Sequence, residues 1–122
     1  MQDLSIPTDV KEKGRREMHI MVVNFQLKGI TEGEFRKLCD EVAPAFGSVP
    51  GLVSKVWLAD AATNTYGGIY TWRNRQTMEA FMKSELFQEV GRNPNLAGIT
   101  VRDFGVLEGP THVTHGLVTA AA

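Results

Sequence analysis

Two extended runs joined by a short polar loop, between Pro50 and Asn74, constrain this chain most. Leu52 to Ala59 is rich in apolar, β-branched and aromatic residues, and Pro50-Gly51 before it is turn punctuation. Asp60 to Thr65 is small and polar, and Tyr66 to Trp72 is a second such run. The pattern predicts a β-hairpin. This hairpin holds both tryptophans and both tyrosines of the chain, with Lys55 among apolar residues. Side chains alternate along a strand, so Lys55 and Trp57 share one face of the first run. Tyr66, Gly68, Tyr70 and Trp72 share one face of the second. A pocket, where the chain has one, is expected against this hairpin.

The rest of the chain fits around the hairpin. Met18 to Leu27 reads as an earlier strand. Met18, Ile20, Val22, Asn24 and Gln26 lie on one face, and His19, Met21, Val23, Phe25 and Leu27 on the other. Both faces are largely apolar, so both are expected to be covered. Thr31 with Glu34 three residues on has the form of a capping box. Behind it, Phe35, Leu38, Cys39, Val42 and Phe46 keep a helical stripe, with Pro44 expected to kink the last turn. Asn74 caps a second helix carrying Met78, Phe81 and Met82. Ser84 caps a further segment carrying Leu86, Phe87 and Val90. Ile99 to Leu107 reads as the last strand. The order is strand, helix, strand, strand, helix, strand: α+β, in the ferredoxin-like βαββαβ arrangement. A four-stranded antiparallel sheet with helices on one face leaves its other face bare. Each large apolar side chain left in water forgoes about 1.5–3 kcal/mol. Patterning alone therefore predicts a homodimer joined through the sheet faces.

Length and charge bound the function. With 122 residues the chain makes one domain with a real core, expected over residues 17–110. Residues 1–16 read as a flexible amino-terminal arm and 111–122 as a weakly patterned tail. A formal net charge of -1 gives no electrostatic case for nucleic acid or anionic membrane. No apolar run approaches membrane-spanning length, and the first ten residues lack a basic start, so a cytoplasmic protein is expected. Cys39 is the only cysteine. Beside Asp40 and Glu41 it reads as a small buried thiol rather than a nucleophile. There is no G-x-G-x-x-G, no phosphate loop, no C-x-x-C and no H-E-x-x-H. Neither a nucleotide, flavin or nicotinamide cofactor nor structural zinc is called for. His112 and His115 lack a third ligand nearby.

Each candidate residue has a structural and a functional reading. Lys55 is an edge lysine laying its stem on apolar surface, or a cation facing an acidic or phenolate substrate. Trp57, Trp72 and Tyr70 are core aromatics, or flat walls and a hydrogen-bond donor for an aromatic ligand. Asn24 bonds the backbone, or orients a ligand. His19 is a core or interface histidine, or an acid–base group.

The runs Pro50-Gly51-Leu52, Lys55-Val56-Trp57 and Gly67-Gly68-Ile69-Tyr70, with Phe104 and Val106, resemble the YdhR family of monooxygenases over Met18 to Glu108. The resemblance implies a dimeric α+β barrel of the antibiotic-biosynthesis-monooxygenase type, with a pocket between sheet and helices in each subunit. It also implies oxygenation of a small aromatic or polyketide-like substrate without metal or flavin. Lys55, Tyr70 and Asn24 would then be catalytic, and Trp57, Trp72, Phe25 and His19 would bind the substrate. A non-oxidative binding protein, isomerase or cyclase of secondary metabolism using the same pocket is the alternative. Haem degradation is disfavoured, because neither predicted helical stretch carries a histidine to ligate iron.

Overall fold

The computed structural model describes residues 17–116. The expected arm and the end of the tail lie outside these residues. Strands β1 (His19–Leu27), β2 (Leu52–Asp60), β3 (Thr65–Trp72) and β4 (Leu96–Gly105) form one antiparallel sheet in the order β2-β3-β1-β4. Helix α1 (Glu32–Gly47) joins β1 to β2, while α2 (Arg75–Met82) and α3 (Glu85–Arg92) join β3 to β4. This is the expected βαββαβ order, with the second helix split in two.

The caps form as the sequence predicts. Thr31 Oγ1 accepts from the Glu34 amide at 3.1 Å, and Glu34 Oε1 accepts from the Thr31 amide at 2.8 Å. Asn74 Oδ1 accepts from the Thr77 amide, and Ser84 Oγ from the Phe87 amide. Helix α1 runs through Pro44 and ends at Gly47. Pro44 sits in the last turn and lacks the N–H that would bond the Asp40 carbonyl, so the helix forgoes one hydrogen bond there and still closes.

Register settles which faces look inward. His19, Met21, Val23 and Phe25 of β1 stand opposite Trp72, Tyr70, Gly68 and Tyr66 of β3. All these residues are buried under the helices. There Phe35 and Phe46 of α1 and Met78 and Phe81 of α2 complete the core. Lys55 and Trp57 of β2 pair with Tyr70 and Gly68 and therefore share this face. Ile20, Val22 and Asn24, with Ile69, Val56 and Phe104, lie on the open face.

Two differences from expectation have local causes. β4 begins at Leu96, not Ile99, and pairs with Leu27 and Gln26 before a bulge in the register. Gly98 sits there with φ +62 and interrupts the alternation that marks a strand in sequence. Residues 106–116, the described part of the chain after β4, also include a further helix. Helix α4 (Glu108–Val113) crosses the boundary expected at residue 110. Glu108 Oε2 accepts from the Met18 amide at 2.9 Å and ties this helix to the start of β1.

Candidate active site

Between the sheet and helices α1 and α3 lies a cavity of about 160 Å³. Its floor is Val23, Phe25 and Gly67 with Lys55, Trp57 and Tyr70. Its roof is Leu38, Cys39, Val42 and Phe46 of α1, and Leu86, Glu89 and Val90 of α3 close one side. The walls are mostly apolar, with a few polar groups aimed inward, as small-molecule sites usually are.

Lys55 is the cavity's central group. Its Nζ lies 3.4 Å from the Trp57 ring centre, 3.5 Å from Phe46 and 4.6 Å from Tyr70. It takes part in no ion pair among the described residues. Burial lowers its pKa from 10.5 to about 7, with the Cys39 sulfur the opposing influence. The three ring faces favour the charged amine and also act against that fall. Close to neutral pH this lysine thus exists as both amine and ammonium. Tyr70 responds oppositely: burial raises its phenol well above the ordinary value, and it stays protonated. The site therefore holds an available base beside a retained acid.

Two glycines make the arrangement possible. A Cβ at Gly68 would stand 2.8 Å from Lys55 Cε, so the bare backbone there gives the lysine stem its path across β3. A Cβ at Gly67, where φ is +148, would stand 1.8 Å from the Val23 carbonyl oxygen. The Gly67-Gly68 pair thus lets β3 approach β1 and lets Lys55 reach its aromatic box.

The structure brings Lys55, Tyr70, Trp57 and Phe25 together around the cavity. It does not bring three other candidates there. Asn24 lies on the opposite face of the sheet, with its Nδ2 donating to the Tyr66 carbonyl at 3.4 Å. Strand alternation separates it from Lys55 and Tyr70, so it cannot act beside them in one subunit. Trp72 is fully buried, stacked on Tyr70 at 6.0 Å and packed on Phe81 at 5.1 Å. It fills the core one register step beyond the cavity. His19 is buried with its Nε2 2.7 Å from Asp103 Oδ1, away from the cavity walls. Cys39, Phe46, Glu89 and Asn93 line the cavity without having been expected there. Cys39 and Phe46 did lie on the predicted inward stripe of the first helix. Asn93 is the residue that ends α3. Burial raises the Cys39 thiol, so it remains protonated, in keeping with the inert reading.

Residues 20–117 match the family described as "Putative mono-oxygenase ydhR". No curated protein matches the chain. Several solved structures share the fold. One is NE2512 from Nitrosomonas europaea, a protein of unknown function, at 13% identity and TM-score 0.65, covering 79% of this chain and 95% of that one. Another is SnoaB from Streptomyces nogalater, a cofactor-independent oxygenase, at 19% identity and TM-score 0.62, covering 75% and 95%. A third is the heme-degrader MhuD from Mycobacterium tuberculosis, with two hemes in its active site, at 16% identity and TM-score 0.60, covering 73% and 95%. In the present chain no histidine lines the cavity. Among the described residues, no three histidine, cysteine or acidic side chains cluster to hold a metal, and no helix is long and apolar enough to cross a membrane.

Proposed function

Since the chain belongs to the ydhR mono-oxygenase family, we propose that it oxygenates a small, electron-rich aromatic or polyketide-like substrate, which itself supplies electrons to O2. The observation that carries this reading is Lys55: an amine with a pKa of about 7 inside an aromatic-walled cavity, next to a protonated tyrosine. A general base works best when its pKa lies close to the operating pH.

For a substrate with an activated methylene or phenol, the neutral Lys55 amine takes the acidic proton. The substrate anion then lies against a new ammonium in a water-poor site, where charge pairing is strong. The anion passes one electron to O2, and the radical and superoxide combine into a peroxide that takes back a proton. Loss of water from a secondary hydroperoxide leaves a carbonyl. For a methylene substrate, then, the methylene carbon and one molecule of O2 become a carbonyl carbon and one molecule of water. The Tyr70 hydroxyl donates a hydrogen bond to the developing oxyanion, and Trp57, Phe46 and Phe25 hold the ring plane.

Oxygen uptake and product mass with anthrones and hydroquinones test this proposal. Lys55→Met is expected to lower kcat at least about a hundredfold, the usual scale for a lost general base. Unchanged turnover in that variant would remove Lys55 from the mechanism. A second reading, a non-oxidative isomerase or cyclase, uses the same base and acid to move a proton within a substrate. Tryptophan quenching and substrate turnover with no oxygen consumed would favour it. In either reading the protein acts as a cytoplasmic homodimer joined through its open sheet face, a proposal supported by the apolar side chains there.

A further inference from the structure

A lysine that is partly a free amine near neutral pH is a nucleophile as well as a base. Desolvation in an apolar pocket, without a carboxylate partner, is a recognised way of activating it. Lys55 meets those conditions by geometry. Its Nζ rests on three aromatic faces and opens on a cavity of about 160 Å³. That is about the size of an apolar cavity known to admit one benzene ring. The titratable groups sharing the cavity are Cys39 from α1, Tyr70 from β3 and Glu89 from α3. Trp57 and Phe46 face it without charge.

We propose that Lys55 captures single-ring aromatic aldehydes and ketones in this cavity as a Schiff base, an activity separate from oxygenation. The amine lone pair attacks the carbonyl carbon while the C=O pair moves to oxygen, and a proton shifts from nitrogen to that oxygen. The C–O bond of the carbinolamine then breaks as the nitrogen lone pair forms C=N. Tyr70 protonates the departing hydroxyl, which leaves as water. The iminium N–H returns that proton to the tyrosinate. Neither oxidant nor reductant is consumed.

The carbonyl probe is benzaldehyde, added to the full chain under nitrogen at pH 7 with sodium cyanoborohydride, which reduces the protonated C=N to a stable secondary amine. The adduct is mapped by peptide mass spectrometry. Lys28, Lys37 and Lys83 are exposed and serve as internal references. An ordinary lysine has about a thousandth of its amine unprotonated at pH 7, so labelling at Lys55 is expected to exceed each reference at least about tenfold. The excess should shrink by pH 10, where the references also lose their protons. Tyr70→Phe should slow adduct formation while leaving its position unchanged. Labelling spread evenly over the lysines, or no adduct at Lys55, overturns the proposal. The mapping needs only the native chain, so it holds even where a Lys55 variant fails to fold. Trapping proceeds without O2, so absence of oxygen uptake leaves a trapped Schiff base standing, and oxygen uptake that is lost in Lys55→Met without preferential labelling of Lys55 leaves the base role standing without the Schiff base.

Discussion

Lys55 occupies a place where a methionine would pack without titrating. In the unfolded chain its amine has the ordinary value of 10.5, and in the native cavity about 7. Between those two pH values the unfolded chain binds more protons than the native one, so stability rises with pH across that window. The cost of burial is fully present below pH 7 and absent above pH 10.5. Cys39, Tyr70 and Glu89 face the same cavity and remain in any Lys55 variant, so a comparison of the two proteins isolates the amine. Lys55→Met is expected to raise unfolding stability by about 1–3 kcal/mol at pH 6, and by much less at pH 10. Urea midpoints at the two pH values check this, and an equal gain at both would show that the amine carries no burial cost. Gly68→Ala probes the same group from below. Its new Cβ meets the Lys55 stem, a flexible side chain that can move aside. Oxygenase turnover is expected to fall about tenfold while stability changes by no more than about 1 kcal/mol, the scale of an ordinary strand substitution.

At the scale of elements, the sequence was most legible where local chemistry decides the outcome. Thr31, Asn74 and Ser84 cap their helices as their side chains require, and Pro50-Gly51 turns the chain before β2. It was less legible where two elements must first be placed side by side. Trp57 and Trp72 both read as aromatic strand residues, yet one lines the cavity and the other is sealed in the core. The difference comes from β2 being an edge strand and from α2 packing over the far end of β3, which strand periodicity does not encode. Asn24 illustrates the same limit: its face was readable, but not which face the helices would cover. Gly67 has the opposite character, because a glycine inside a strand already signals close approach. Its neighbour is the Val23 carbonyl, a backbone atom that cannot swing away. Gly67→Ala is therefore expected to cost about 3 kcal/mol through strain and lost β1–β3 pairing. Thermal unfolding would show this, and a shift comparable to that of Gly68→Ala would mean that the pairing yields more easily than its geometry requires.

For the whole molecule, the helices cover one sheet face, and the other carries an apolar stripe beside Asn24 and Arg102, whose guanidinium lies 5.4 Å from the Phe104 ring centre. Ile20, Val22, Ile69 and Val56 form a stripe across β1, β3 and β2, ending at Phe104 on β4. Val56 is 56% exposed and Phe104 46% exposed in the single chain. A contiguous apolar patch of this kind on a small domain marks an interaction surface. In the proposed homodimer a second copy of the chain would supply a matching stripe, and a two-fold pairing would bury the same residues on both subunits. Ile69 stands at the middle of that stripe, on the central strand β3 and facing away from Lys55. A lysine at this position places two charges in the seam without touching the cavity. Ile69→Lys is expected to convert a micromolar dimer into a monomer in sedimentation velocity, with its circular dichroism spectrum unchanged. Wild-type protein sedimenting as a folded monomer at that concentration would exclude the pairing. A variant that stays dimeric would place the contact on the exposed edges of β2 or β4 instead of across the sheet.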